Sequence, residues 1–253
     1  MDRLELLDIH VRYYGADRDA LAALSTTVEE GQMLGVAGAN GAGKSTLALV
    51  AAGFIPRVVR AELAGEVRWA GDSVLGRAGD RSRHSVGIVF SDPANQISGA
   101  RATVREELAF GLENIGVPRG EMDGRIDEAL DALAIGHLAD RSPWELSGGE
   151  QQRVAIGSVL VMDPRAMVLD EPVAQLDPAT AEAVALLLKR LADAGQAILV
   201  TEHDPAVLSQ ADRCLVLSDG RAIVEARPST ALSTAVVRPA GLTTPLGIEL
   251  AEA

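Results

Sequence analysis

The sequence predicts an α/β fold with a mostly parallel sheet and an antiparallel β layer beside it. Two observations lead to this prediction. From Ser147 onward, amphipathic helical patterns alternate with short buried-strand patterns, and a glycine-rich segment near residue 40 separates a buried strand from an apolar helix. Buried strands joined by helices form parallel sheets, because each connecting helix covers a face of the sheet. With 253 residues and 47% hydrophobic residues, the chain can bury a sizeable core.

The N-terminal part predicts both the antiparallel layer and the first parallel strand. Apolar and polar residues alternate over Leu4–Tyr13 and Ala20–Val28, and Glu66–Trp69 is a third candidate strand. Between them, Gln32–Ala37 has the apolar run of a buried strand, and Ser45–Gly53 continues as an apolar helix.

The middle of the chain predicts a helical subdomain at about residues 92–160. The strand Val86–Phe90 is followed by a turn-rich break over residues 91–96. Thr103 and Glu106 have the spacing of a capping box, which starts a helix that ends at Ile115. A second helix is predicted over Asp123–Leu133, after a break at residues 118–120.

The C-terminal part completes the predicted sheet. Helices are expected over Gln151–Met162, Pro178–Ala194 and Pro205–Ser209, and strands over Ala166–Leu169, Ala197–Val200, Cys214–Leu217 and Arg221–Val224. Residues 1–225 are therefore predicted to form one domain. Residues 226–253 have weak periodicity and several prolines, which predicts a short, loosely structured C-terminal appendage.

Composition excludes several classes of function. The net charge of −13 argues against nucleic acid as the main partner, since phosphate backbones bind basic surfaces. Because Cys214 is the only cysteine, internal disulfides and cysteine–zinc clusters are excluded. We expect Cys214 to be buried in a strand. No apolar run approaches the ~20 residues that cross a bilayer. We therefore expect a cytoplasmic chain whose membrane role, if any, depends on a partner.

The glycine-rich segment Gly38–Ser45 fits the pattern G-x-x-x-x-G-K-[ST] of a phosphate-binding loop. Its glycines let backbone amides approach a polyphosphate closely. Lys44 provides a positive charge for the outer phosphates, and the Ser45 hydroxyl is a ligand for Mg²⁺. The sequence thus predicts an ATP site formed by the following residues: Gly38, Asn40, Gly41, Ala42, Gly43, Lys44, Ser45 and Thr46.

Two acidic residues directly follow the predicted strand Ala166–Leu169. A carboxylate at this edge of the sheet reaches Mg²⁺ through water, which suits Asp170. Glu171 follows and is predicted to be the general base that activates the attacking water.

The segment Leu146–Glu150 is more specific. Ser147 and Glu150 have the spacing of a second capping box, and two glycines follow the cap directly. Glycine is a poor helix former, so the pair indicates close approach of another group, for which a phosphate at the positive helix end is the natural candidate.

Together with Gln151–Ala155, this segment resembles the signature of ABC-type ATPases, and the resemblance covers residues 3–225. It implies that Tyr13, or its neighbour Tyr14, stacks on adenine, that Asp177 belongs to the D-loop, and that His203 contacts the γ-phosphate. It also implies a head-to-tail dimer. The signature residues that would border the ATP of the partner subunit are Ser147, Gly149 and Glu150.

One position departs from the family. Where ABC-type ATPases usually have a glutamine that contacts Mg²⁺ and the attacking water, this chain has Ser91. The linker that follows is similar to that of the energy-coupling-factor subgroup, in which a second glutamine corresponds to Gln96. Water could fill the gap, Gln96 could substitute, or hydrolysis could be weak. We expect slow but real hydrolysis, since the other catalytic residues are present.

The leading hypothesis is therefore an ATPase subunit of an energy-coupling-factor importer for a vitamin or metal ion, located peripherally at the cytoplasmic membrane face. The expected cofactors are ATP and Mg²⁺. The expected partners are a second ATPase subunit, a transmembrane coupling protein and a substrate-binding membrane protein, with no nucleic acid. Two alternatives stay open: a soluble ABC ATPase, or a weakly hydrolysing regulatory half of a heterodimer.

Overall fold

The computed structural model describes residues 2–76 and 86–237. The strands are β1 (Arg3–Tyr13), β2 (Leu21–Glu29), β3 (Met33–Gly38), β4 (Ala61–Trp69), β5 (Asp72–Ser73), β6 (Val86–Val89), β7 (Ala166–Asp170), β8 (Ala197–Thr201), β9 (Arg213–Ser218) and β10 (Arg221–Ala226). The helices are α1 (Lys44–Ala51), α2 (Val104–Asn114), α3 (Arg119–Ala132), α4 (Gly148–Leu160), α5 (Pro178–Asp193), α6 (Pro205–Leu208), α7 (Pro228–Ala231) and α8 (Thr234–Val237). Within the described ranges, no helix is both long and apolar enough to cross a membrane.

The strands form two sheets, as the sequence predicts. A four-stranded antiparallel sheet has the order β2-β1-β4-β5. A six-stranded sheet has the order β10-β9-β3-β8-β7-β6, and all its neighbours pair in parallel except the β9–β10 hairpin. Because β3, β8 and β7 are adjacent and parallel, the segments that follow them meet at one edge of the sheet.

The core has two layers, one on each face of the larger sheet. Along β7, Met167 and Leu169 belong to one layer and Ala166 and Val168 to the other, as the alternation of a strand requires. The first layer packs under α2 to α5, and the second contains α1 and the inner face of the antiparallel sheet. The phosphate loop is thereby held between two packed elements, β3 and α1.

Three elements start earlier than the sequence predicts. The helix α3 begins at Arg119, because Pro118 precedes the first turn, where its missing N–H costs nothing, and Gly120 lies exposed. The strand β4 begins at Ala61, which pairs with Tyr13 of β1, a long-range contact without a local signal. The helix α4 includes both signature glycines and begins at Gly148.

The C-terminal residues that the structure describes are more ordered than the sequence predicts. Instead of a loose segment, residues 228–237 contain α7 and α8, and Ala231, Leu232 and Val237 are buried in the first core layer. Such short helices have too few turns to show periodicity, which explains why the sequence did not indicate them. The rest of the predicted appendage, residues 238–253, lies outside the described residues.

The structure confirms that Cys214 is a buried residue of β9, with no exposed surface. Its Sγ lies 3.3 Å from the Leu208 carbonyl oxygen. Burial raises the pKa of the Cys214 thiol to about 12, so this side chain is a neutral core residue at physiological pH.

Candidate functional site

The phosphate loop connects β3 to α1 in a conformation that needs glycine. Gly43 precedes α1 with a φ of 106°, and a Cβ at this position would lie 2.7 Å from the Ala20 carbonyl oxygen. At Gly38, a Cβ would lie 2.8 Å from the Leu217 carbonyl oxygen. No side chain caps the start of α1. The amides of its first turn therefore remain available for an anion.

Lys44 connects the phosphate loop to the acidic end of β7. Its side chain is only 4% exposed, and its Nζ donates a hydrogen bond of 2.9 Å to the Gly38 carbonyl oxygen. The same Nζ lies 3.1 Å from Glu171 Oε1. Two residues that are 127 positions apart in the sequence thus meet as an ion pair at the predicted phosphate position.

The two carboxylates of the predicted catalytic edge point to different neighbours. Asp170 Oδ1 accepts a hydrogen bond of 2.6 Å from the Thr201 hydroxyl on the adjacent strand β8. Glu171 has a left-handed backbone, with a φ of 47°, and its N–H donates to the Thr201 carbonyl oxygen at 3.0 Å. A non-glycine residue in this conformation is uncommon and is held here by the pairing with β8.

A cavity of about 690 Å³ lies beside this ion pair. It is lined by Glu171, by most of the predicted phosphate-loop residues and by one of the two candidate tyrosines: Tyr13, Asn40, Gly41, Gly43, Lys44, Ser45, Thr46 and Glu171. Its volume is typical of a ligand pocket. The structure therefore brings the phosphate loop, Glu171 and the predicted adenine-stacking tyrosine to one site.

The sequence missed the opposite wall of this cavity. It consists of the loop between β1 and β2, the turn between β9 and β10, and the first residues of β2 and β10: Ala16, Arg18, Asp19, Ala20, Ala22, Asp219, Gly220 and Arg221. The sequence predicts the hairpin at Asp219–Gly220, but it does not indicate that this hairpin lies beside the phosphate loop. Gly220 donates its N–H to the Ala42 carbonyl oxygen at 3.0 Å because β9 pairs with β3.

Tyr13 lies at the end of β1, and its hydroxyl is 3.1 Å from the Thr46 hydroxyl. This contact holds the ring against the start of α1. Tyr14 is 68% exposed and is not among the described residues that line the cavity. Of the two tyrosines that the sequence left open, the geometry favours Tyr13 for contact with a base.

Several predicted site residues lie outside this cavity, as far as the described residues show. Gly38 and Ala42 form buried parts of the loop itself, and Asp170 faces Thr201. The others are at the start of α4, the start of α5, the end of β8 and the linker after β6: Ser147, Gly149, Glu150, Asp177, His203, Ser91 and Gln96.

The predicted capping box at the start of α4 is present. Glu150 Oε2 accepts from both the backbone N–H of Ser147, at 2.8 Å, and its hydroxyl, at 2.7 Å. The hydroxyl contact, followed by the backbone contact, lowers the pKa of Glu150. A contact within the chain favours glycine at position 149, because a Cβ there would collide with the Thr180 side chain.

Asp177 and His203 both occupy exposed positions. Asp177 caps α5 and accepts hydrogen bonds from the Ala179 and Thr180 amides at 3.1 and 3.2 Å. The Thr180 hydroxyl contributes most to lowering the pKa of Asp177. The His203 side chain is 56% exposed and follows β8.

The linker position that departs from the family has its own surroundings. Ser91 lines a small cavity of about 90 Å³, together with Asp92 of the linker, Gln152 of α4 and Gln175 of the segment after Glu171. Gln152 is 1% exposed, and its amide nitrogen has no hydrogen-bond partner among the described residues. Gln96 borders neither this cavity nor the phosphate cavity within the described residues.

The fold and the site together define a phosphate-loop nucleotide-binding protein, and comparison with known proteins gives the family. The profile of the ABC transporter family matches residues 21–174, which is more than half of the chain. The chain belongs to this family, and it is an ATP-binding ATPase of the ABC type.

Its relatives include proteins of the energy-coupling-factor group. A putative ABC transporter ATP-binding protein of Methanosarcina mazei is 41% identical over 92% of this chain and 83% of its own length. The energy-coupling factor transporter ATP-binding protein EcfA of Methanothermobacter thermautotrophicus is 38% identical over 98% of this chain and 78% of its own. Two other relatives are longer, and the chain spans 43% and 46% of their length.

The fold is also that of a solved structure. CbiO1 from Clostridium perfringens, part of the ABC transporter complex CbiONQ, superposes with a TM-score of 0.81 and 31% identity over 99% of this chain and 98% of its own. The predicted α/β architecture with a parallel and an antiparallel sheet is thereby confirmed.

Proposed function

We propose that this chain is the ATP-hydrolysing subunit of an energy-coupling-factor importer. The observation that carries the proposal is the convergence of Lys44 and Glu171, 3.1 Å apart, on the 690 Å³ phosphate cavity. A cationic phosphate ligand and a candidate general base for water are thus held together. Similarity to EcfA and CbiO1 over almost the whole chain supports the importer role.

Charge and donor chemistry support Mg²⁺ as the ion that accompanies ATP. The cavity walls carry three cationic side chains (Arg18, Lys44 and Arg221) and three carboxylates (Asp19, Glu171 and Asp219), so they add no net positive charge for a polyphosphate. Among the described residues, no cluster of three or more His, Cys, Asp or Glu side chains could hold a metal on its own.

This donor set fits an ion that arrives with the nucleotide. Mg²⁺ usually takes one or two protein ligands and completes its octahedron with phosphate oxygens and water. The Ser45 hydroxyl and the Asp170 carboxylate would hold it, and the ion would neutralise charge that develops on the phosphates.

The placement of the signature residues supports a head-to-tail dimer. Ser147, Gly149 and Glu150 lie outside the chain's own phosphate cavity, at the start of α4. A helix N-terminus favours an anion. In the dimer that we propose, this terminus contacts the ATP of the partner subunit, and Asp177 and His203 border the same interface. ATP would favour the closed dimer because it binds that state more tightly.

Movement of this dimer would drive a transmembrane coupling protein that docks near residues 91–115, with the chain peripheral to the cytoplasmic face of the membrane. The test is affinity purification of the tagged chain from detergent-solubilised membranes of its own cells. We expect an integral membrane protein to co-purify and the isolated assembly to hydrolyse ATP. Recovery of the chain only with ribosomes or nucleic acid would instead support a soluble ABC ATPase.

We expect Ser91 to limit the kcat of this ATPase. Changing Ser91→Gln restores a side chain whose amide reaches farther and both donates and accepts hydrogen bonds. If serine is too short to orient the attacking water and glutamine can orient it, kcat should rise about three- to tenfold, with little change in KM. Steady-state release of phosphate by the purified chain measures this.

The matched control is Ser91→Asn, which adds the same amide on a shorter side chain and should leave kcat within about twofold of the original. A Ser91→Gln rate at or below that of the unchanged chain would contradict the idea. Water or another group would then already do what the missing glutamine does.

A further inference from the structure

The most deeply buried carboxylate next to the proposed catalytic edge has no role in the proposed binding of ATP or in the proton transfer. Glu202 follows the last residue of β8 and has no exposed surface. Its own N–H donates to the Val36 carbonyl oxygen at 2.9 Å, which continues the pairing of β8 with β3. Its side chain is therefore fixed by the central part of the sheet.

Three backbone amides donate to this carboxylate from two different segments. Oε1 accepts from the Val173 N–H at 3.1 Å. Oε2 accepts from the N–H groups of His203, at 3.0 Å, and Asp204, at 3.3 Å. Val173 lies two residues after Glu171 and leads into the segment that ends at Asp177. One carboxylate thus ties the chain after the proposed base to the chain that carries His203.

The chemistry explains why a carboxylate is present in a site that disfavours charge. Burial raises the pKa of Glu202, while the three amide donors favour its charged form. An amide side chain has only one acceptor oxygen, whereas a carboxylate has two. Only a carboxylate of this length accepts hydrogen bonds from both segments at once.

We propose that Glu202 is a positioning residue for ATP hydrolysis, which holds His203 and the segment after Glu171 in a fixed relative arrangement. The His203 ring is 56% exposed, and its Nδ1 is 3.8 Å from Glu202 Oε2, so its place depends on the backbone that Glu202 binds. The inference rests on the proposed roles of His203 and Glu171. It assigns Glu202 no contact with ATP.

The test uses the isosteric change Glu202→Gln in the full chain. The glutamine keeps the shape but has one acceptor oxygen, so either the hydrogen bond from Val173 or the pair from His203 and Asp204 is lost. We expect kcat for ATP hydrolysis to fall about tenfold, the equivalent of one buried hydrogen bond, with KM for ATP within about twofold. Glu202→Asp keeps the charge but is too short to reach both segments, and it should lose a similar factor.

A matched control separates positioning from general destabilisation. Glu107 of α2 is also buried, at 2% exposure, and accepts from the N–H and hydroxyl of Ser98 at 2.6 and 2.8 Å. It lies outside the phosphate cavity as the described residues define it. Glu107→Gln should lower the melting temperature by a comparable amount and leave kcat of the purified chain, measured without a membrane partner, near that of the unchanged chain.

The decisive measurement is a double-mutant cycle with His203→Ala. If Glu202 acts by holding His203 in place relative to the segment after Glu171, it contributes only while the imidazole is present. The double variant then hydrolyses ATP no more slowly than His203→Ala alone, within about twofold. Multiplicative losses, or an unchanged kcat in both Glu202 variants, would overturn the proposal while leaving the ATPase function intact. A chain without ATPase activity before any substitution would instead contradict the proposed function.

Discussion

Replacing Glu171 by glutamine is expected to reduce kcat for ATP hydrolysis by about a hundredfold or more, the usual loss when a general base is removed. In the proposed reaction, the oxygen of a water molecule bonds to the γ-phosphorus as the bond to the bridging oxygen of ADP breaks. Glu171 accepts a proton of that water. Glutamine has the same shape but cannot take this proton.

The same variant is expected to bind ATP at least as tightly as the unchanged chain. Glu171 Oε1 lies 3.1 Å from Lys44 Nζ, so the carboxylate competes with phosphate for the lysine. Glutamine removes this competing charge, and uncleaved ATP then holds two chains together. Size-exclusion chromatography with Mg²⁺ and ATP should show a dimer for Glu171→Gln, and a monomer when ATP is omitted.

An exposed glutamate gives the control for this change. Glu182→Gln on α5 makes the same chemical substitution on the surface and should alter neither turnover nor association. If Glu171→Gln hydrolyses ATP as fast as Glu182→Gln, the assignment of the general base is wrong.

The parts of the site that the sequence predicts are local, and the parts that it misses depend on long-range pairing. Residues 38–45 contain the whole phosphate loop, and Gly43 adopts the left-handed conformation that only glycine readily takes. By contrast, Arg18 and Asp219 reach the cavity only because β1 and β9 lie where the sheets place them. No spacing in the chain indicates which hairpin will border which loop.

The signature segment shows a second limit of sequence reasoning. Gly149 suggests that another group approaches the backbone closely. Two groups could do so, namely a side chain of the same chain or a phosphate of the partner subunit. The structure identifies one of them as Thr180, whose side chain occupies the space where a Cβ would be. Contact of this segment with a phosphate of the partner subunit stays a prediction. Such a phosphate would bind the backbone amides, and the space at the Cβ position does not test that contact. Similarly, no sequence pattern indicates the role of Glu202, because its three hydrogen-bond donors come together only in the folded chain.

Replacing Lys44 by alanine is expected to weaken ATP binding by about a hundredfold, which corresponds to the loss of a charge-assisted hydrogen bond of about 2.7 kcal/mol. The Lys44 ammonium is 4% exposed and is already oriented by the Gly38 carbonyl oxygen, at 2.9 Å. Little conformational entropy is therefore lost when it moves to a phosphate. Titration with a fluorescent ATP analogue measures the change in Kd.

Two comparisons sharpen this experiment. Lysine 44 acts on the outer phosphates, so binding of AMP should change by no more than about twofold. Lys189, the only other lysine, pairs with Asp193 and Asp212 on the surface at 2.7 and 2.9 Å. Lys189→Ala removes an equal charge and should leave ATP binding unchanged. An equal loss of affinity in both lysine variants would mean that net charge, and not the phosphate loop, governs nucleotide binding, which contradicts the site that we describe.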